Sequence, residues 1–317
     1  MVPEWLRECG GGRYVIDTGM QGEGRVASHL LVEGGRAAFI DVGATTNLDR
    51  LLGALSALGL PPHAVEWVMV THVHLDHAGA AGALMKELPE ARLLVHPRGA
   101  RHMIDPSRLV AGATAVYGEE VMGRLFGEVV PVPAERVVEA EEGMEVPLAG
   151  RRLAILDTPG HARHHYCVHD PLTATIWTGD TFGLSYREFD SSRGPFVMPT
   201  TTPVQFDPDA LHRSIDRLMA LAPRQAGLAH FGLIDVDARV AADLHAGVDA
   251  FVALALEREG FEEGRKAAIR EAMTRWVTAR LHAHGSAEAP ETALALLAGD
   301  LELNSQGLDW WLDHRQG

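Results

Sequence analysis

The stretch "VEWVMVTHVHLDHAGAAGAL", residues 65–84, constrains this chain more than any other. A mostly apolar run ends in four groups that titrate or bind metals within six positions: His72, His74, Asp76 and His77. A short apolar run of that kind reads as a buried strand. Titratable groups are costly to bury without partners, so the strand must end at a sheet edge where the four groups collect. In extended chain His72 and His74 project the same way. Asp76 and His77 then fall at the turn into a helix beginning near Ala78, and Ala78, Gly79, Ala80 and Ala81 are small enough to let that helix approach closely. Imidazole and carboxylate donors without thiolate suit zinc, manganese or iron. Four donors so closely spaced cannot all reach one ion without strain, so two adjacent ions are the natural solution.

The surrounding pattern places this edge. "RYVIDTG" and "ASHLLVEGGRAAFIDVG" read as strands, the second a hairpin turning at Glu33-Gly34-Gly35. "TTNLDRLLGALSALGL" has helical spacing, with Thr46 or Asn47 as cap and Gly59 as stop. "VEWVMVTH", "AGAAGALMKEL" and "ARLLVHP" continue as strand, helix and strand, the order of a mixed or parallel sheet covered by helices. A second strand-rich block follows between about residues 127 and 181, so two sheets packed face to face are expected. From about Val236 the chain becomes amphipathic and helical, with Gly260, Gly285 and Gly299 as stops. The expected domains are residues 1–235, carrying the site, and an all-α extension over 236–317.

Composition removes some function classes. A net charge of −15, with no run of Lys or Arg longer than two, argues against nucleic acid as the main partner, because phosphate neutralisation supplies most of that affinity. Two cysteines, Cys9 and Cys167, exclude a disulfide framework and a four-thiolate zinc site. Cys167 reads as a small buried residue. His63, His212, His245 and His314 fall in polar or helical contexts and read as surface residues. No apolar run approaches the about 20 residues of a membrane span, and the N-terminus has no basic segment followed by an apolar one. A cytoplasmic enzyme acting on a small molecule is the expectation, with no membrane partner and with homo-oligomerisation open.

Further candidate ligands sit at other strand ends. His161 follows a Pro-Gly turn in "LDTPGHARHH", Asp180 ends "TIWTGD", and His230 ends the apolar segment in "AGLAHFG". Loops leaving sheet edges are where such folds assemble sites. The order HxHxDH, TPGH, GD and a late His resembles the metallo-β-lactamase superfamily over roughly residues 12–235. That resemblance implies a four-layer αββα sandwich of two mixed sheets, with a dinuclear centre at one edge. It implies His72, His74 and His161 on the first ion, Asp76, His77 and His230 on the second, and Asp180 bridging. Asp41, ending "AAFIDVG", matches the family's aspartate beneath the site, and is equally readable as a strand-end cap.

The helical tail is similar in placement to that of glyoxalase II-like hydrolases, with His165 matching their position behind the ligands. Two departures stand out. "TFGLSYREFDSSRG" replaces their glutathione-binding segment, and Gly183 stands where lactonase members place a tyrosine, leaving Tyr186 as a candidate substitute. The implied cofactors are two divalent ions, zinc first, with manganese or iron as alternatives. The implied reaction is hydrolysis of an ester-like bond (thioester, lactone or phosphodiester) by a metal-bridging hydroxide, with Asp76 and Asp180 as the catalytic carboxylates. The alternative on the same fold is a mononuclear iron oxygenase of the persulfide dioxygenase type. Pocket residues are expected from 181 to 203 and from the tail.

Overall fold

The computed structural model describes residues 2–202 and 204–315, which leaves Pro203, the last residue of the expected pocket segment, outside the described residues. The chain divides into two compact units. The first runs to Asp157 and adds His164–Gly179 and Arg224–Leu233. The second holds Thr158–Arg163, Asp180–Pro223 and the chain from Ile234 onward.

Sequence order gives β1 (Leu6–Glu8), β2 (Arg13–Asp17), β3 (Ala27–Glu33), β4 (Arg36–Ile40), α1 (Leu48–Ala57), β5 (Val65–Val70), α2 (Leu75–Ala78), α3 (Ala81–Glu87) and β6 (Arg92–Val95). Then come α4 (Pro97–Ile104), α5 (Ser107–Tyr117), α6 (Glu119–Leu125), β7 (Val137–Glu139), β8 (Glu145–Leu148), β9 (Arg151–Asp157), β10 (Tyr166–Asp170) and β11 (Thr175–Leu184). Last are α7 (Pro208–Met219), β12 (Gln225–His230), β13 (Gly232–Asp235), α8 (Ala238–Leu256), α9 (Arg265–His284), α10 (Pro290–Leu296) and α11 (Ala298–His314). Strands β1 to β7 form one sheet in sequence order, and the second sheet runs β13-β12-β11-β10-β9-β8. The first sheet is mixed: β1 to β4 pair antiparallel, while β4 to β7 pair parallel. The expected hairpin is present, with Gly34 and Gly35 both at positive φ (53° and 77°) in the two-residue turn.

Strand alternation explains how the layers form in the first unit. Leu30, Phe39, Val68 and Leu93 face α1, α3 and α4 in one core with Leu51, Leu84 and Met103. Their neighbours Leu31, Ala38, Met69 and Leu94 point the other way, against Val146, Leu153, Ile155, Tyr166 and Trp177 of the second sheet. Each fully buried large apolar side chain stabilises by roughly 1.5–3 kcal/mol, so a one-residue slip of β3 or β5 would turn both cores inside out. The architecture is the αββα sandwich of two mixed sheets with a helical C-terminal region that the sequence implies.

Three local expectations need correction. Asp76 and His77 lie inside a four-residue helix, α2, and the expected single helix breaks before α3. At the break the Ala80 amide leaves the helical pattern and donates to the Gly43 carbonyl at 2.9 Å. Gly299 does not stop a helix: it lies in the first turn of α11, where glycine interrupts little of the intrahelical hydrogen bonding. Asp180, expected at a strand end, lies inside β11, which continues to Leu184.

In the second unit, α7, α8, α9 and α11 pack together around the segment that follows β11. Asn304 of α11 accepts from the Thr201 amide and, at 2.9 Å, from its hydroxyl. Gly307 lies so close to the Thr201 carbonyl that a Cβ there would sit 1.6 Å away. No described helix is long and apolar enough to cross a membrane.

Candidate metal centre

In the first unit β5 leaves the core at Val70 and the next residues turn back over Asp41. Asp41 sits just past β4 with left-handed backbone (φ 51°) and is 2% exposed. A carboxylate so buried needs several donors, and it has them. It accepts from the Thr71 amide at 2.8 Å, from the Thr71 hydroxyl at 2.9 and 3.0 Å, and from His77 Nδ1 at 3.0 Å. Asp41 therefore both caps the exit of β5 and fixes one imidazole. With Nδ1 donating to Asp41, His77 presents Nε2 to Asp76 Oδ2, 3.6 Å away.

His230, arriving from β12, repeats the arrangement. Its Nδ1 donates to the Arg25 carbonyl at 3.2 Å, and its Nε2 lies 3.3 Å from the same Asp76 oxygen. One ligand atom from each of Asp76, His77 and His230 falls within 4.8 Å of the others. Nitrogen and oxygen ligands about 2.0–2.2 Å from a tetrahedral ion stand roughly 3.3–3.6 Å apart along each edge. The two measured edges lie in that range, so the donor set fits a divalent ion in spacing as well as in chemistry. His72 and His74 complete the first-unit cluster. Thr71 Oγ1 lies 3.2 Å from His72 Nδ1, and His72 Nε2 meets His74 Nδ1 at 2.8 Å.

Two residues behind the cluster keep its geometry. The His165 ring stacks on His72 with centroids 5.0 Å apart. Gly179 is held at φ 46°, and a Cβ there would sit 2.4 Å from Thr71 Oγ1 and 2.7 Å from His165 Nε2, so only glycine fits. Deeper on β3, His29 is fully buried and donates Nε2–H to the Leu228 carbonyl at 3.1 Å. Burial pushes its pKa down to about 4, so it is neutral near pH 7.

The remaining two predicted ligands belong to the second unit. His161 Nε2 lies 3.4 Å from Asp180 Oδ2. Thr200 fixes that ring: its hydroxyl donates to the Asp180 carbonyl at 3.2 Å and so accepts from His161 Nδ1 at 3.1 Å. Gly160, at φ 140°, lets the turn before His161 lie against α7, where a Cβ would meet the Leu211 backbone at 2.4 Å. Tyr186 is 2% exposed and donates to Asp300 of α11 at 3.1 Å. Sequence reasoning missed Thr71 and Thr200. Thr71, directly before His72 at the strand end, could have been found, whereas nothing in "MPTTTP" singles out Thr200.

The chain is similar to known proteins. The family model of the metallo-beta-lactamase superfamily matches residues 6–224. A metallo-beta-lactamase fold-containing protein of Sulfurisphaera tokodaii is 30% identical over 174 residues, 54% of this chain and 62% of that protein. An acyl-coenzyme A thioesterase of Gallus gallus is 28% identical over 193 residues, 56% of this chain and 66% of that one. The chain thus spans a little under two thirds of either relative. Among solved structures, a metallo-beta-lactamase family protein from Thermus thermophilus superposes with a TM-score of 0.66 at 22% identity, covering 95% of this chain and 93% of that one.

Proposed function

Since the chain belongs to the metallo-β-lactamase superfamily, we propose that it is a metal-dependent hydrolase that cleaves an ester-like bond at a centre of two divalent ions. Zinc is the first candidate, because the donors are imidazole and carboxylate only. Asp76, His77 and His230 hold one ion, and their mutual spacing is the observation that carries the reading. The resemblance to the family implies that His72, His74 and His161 would hold the other, together with Asp180. When bound, such ions make a coordinated water acidic enough to attack near neutral pH and polarise the attacked oxygen.

The chain's own groups do the rest. Asp41 holds His77 by its remote nitrogen, the Arg25 carbonyl holds His230, and Thr200 holds His161. Imidazoles fixed in this way keep one tautomer and a higher ligand basicity. Asp76 and Asp180 orient the attacking water and carry its proton. The segment after β11 is fastened to the helical tail by Asn304, Tyr186–Asp300 and a 2.7 Å bond from Ser191 to the His284 carbonyl. That anchoring supports the reading that residues 181–202 and the tail shape the substrate pocket together. The same anchoring bears on the domain proposal of 1–235 and 236–317, because the tail's helices pack with residues that precede the boundary.

Among substrates we place acyl thioesters first, in line with the thioesterase relative, with lactones and phosphodiesters as the other classes. The test is turnover of the zinc- or manganese-loaded chain on an acyl thioester, a lactone and bis-(p-nitrophenyl) phosphate in parallel, with elemental analysis. Close to two ions per chain and hydrolysis of at least one substrate are expected. One iron per chain with oxygen consumption on a persulfide, and no hydrolysis, would overturn the reading in favour of the oxygenase.

A further inference from the structure

A second group of histidines lies apart in sequence from these ligands, on α7 and α8 within the second unit. His212 and His245 face each other nearly parallel (15°) with ring centroids 4.9 Å apart. Their Nδ1 atoms approach to 2.6 Å. Each remote nitrogen meets a carboxylate of the opposite helix: His212 Nε2 to Asp249 at 3.1 Å, and His245 Nε2 to Asp216 at 3.0 Å. Both helices carry the same H-x-x-x-D spacing, "HRSID" and "HAGVD", and the pairs cross between them.

The proton inventory makes this arrangement informative. A neutral imidazole has one N–H, and here the carboxylate at each Nε2 claims it. Both Nδ1 atoms then present lone pairs to one another at 2.6 Å, which is repulsive unless a cation lies between them. We propose that His212 and His245 bind a transition-metal ion of the Zn2+ or Cu2+ class, which clamps α7 to α8. Three observations support a metal ion over a lone proton. The close approach of two imidazole nitrogens repeats that of His72 and His74, 2.8 Å apart in the candidate centre. The carboxylates behind the rings repeat Asp41 behind His77, the usual support of a metal-bound imidazole. The rings are about a quarter exposed, at 25% and 26%, so an ion can enter with its own waters. Binding needs the nitrogens to part by roughly 1 Å, to the edge length of a tetrahedral site, and half-buried rings at a helix surface can turn that far. Imidazole pairs favour Cu2+ over Zn2+ and Zn2+ over the earlier divalent ions.

The experiment compares the full chain with His212→Gln/His245→Gln, each titrated with Zn2+ alone and then with Cu2+. The original chain should take up one ion per chain more than the double variant. Added Zn2+ should raise its Tm and leave that of the variant unmoved. Bound Cu2+ should show nitrogen coupling in electron paramagnetic resonance that the variant lacks. Repeating the comparison in an Asp76→Asn background separates this site from the proposed dinuclear one, since the one-ion difference should survive there. Should the histidine variant fail to fold, Asp216→Asn/Asp249→Asn keeps both rings and should weaken Zn2+ about 10–100-fold. Equal uptake and an equal Tm response in chain and variant would overturn the proposal and leave the pair sharing only a proton. Unchanged Zn2+ affinity in the asparagine variant would do the same.

Discussion

The two histidine clusters of this protein solve the same problem in opposite surroundings. Around Asp76 the rings are buried, one in α2 and one at the end of β12, and each remote nitrogen is tied to a group that cannot move far: the buried Asp41 carboxylate or the Arg25 backbone carbonyl. On α7 and α8 the rings sit at a helix surface, and their carboxylate partners Asp216 and Asp249 are 74% and 73% exposed. Burial makes the first cluster costly to disturb, because an orphaned group there has no water to turn to. Exposure makes the second adjustable and cheap to lose. If this contrast is correct, equivalent substitutions should have graded effects.

The largest effect is expected from Asp76→Asn. One Asp76 oxygen faces both His77 and His230, and a neutral amide weakens the donor set at its centre. Turnover should fall by more than the about 100-fold typical of a lost outer partner, with one ion fewer per chain by elemental analysis and circular dichroism unchanged. Full activity with full metal content would remove Asp76 from the ligands. Asp41→Asn comes next. It touches no substrate, yet it loses the charge-assisted bond to His77, so metal affinity should drop about 10–100-fold. Since Asp41 acts through His77, adding excess metal should restore much of the activity, and that rescue separates a positioning role from simple misfolding.

The contrast also explains what could be read from the chain. The first cluster was legible because its donors come in one run, "HVHLDH", directly after an apolar strand, so local periodicity already brings them together. His161, Asp180 and His230 were legible because each follows within a few residues of an apolar segment. The α7–α8 pair was not, because His212 and His245 stand 33 residues apart on two helices whose packing no local pattern reveals. Each looked like an ordinary surface residue. Thr200 escaped for a related reason: its role depends on a tertiary approach to His161, and a threonine in a loop advertises nothing. Gly299 misled because glycine's meaning depends on its place in a helix, and sequence alone did not show that a new helix had just begun.

A third prediction tests burial through pH. His29 is fully buried, its pKa is lowered by burial from the ordinary 6.5 to about 4, and it is neutral in the fold. A lowered folded value means the unfolded chain binds the proton first. The contribution is therefore complete above pH 6.5 and is lost as pH falls toward 4. Its upper limit is about 3 kcal/mol, at 1.36 kcal/mol per unit. Urea midpoints measured between pH 7 and pH 4 should fall less steeply for His29→Gln than for the original chain. Parallel curves would show that His29 is not the group being charged.

The smallest effect is expected where exposure is greatest. In metal-free protein Asp216→Asn removes one partner of a surface His–Asp pair, and such pairs are worth about 0–1 kcal/mol because water and salt already screen them. The Tm should shift by a few degrees at most, turnover of the metal-loaded protein should be unchanged, and 1 M salt should erase the Tm difference. The buried counterpart, Asp41→Asn, should keep its defect in the same salt, because its partners lie where ions do not reach. A salt-insensitive loss at Asp216 would show that the α7–α8 pair is as tightly built as the centre, and the division between a rigid buried cluster and an adjustable surface one would fail.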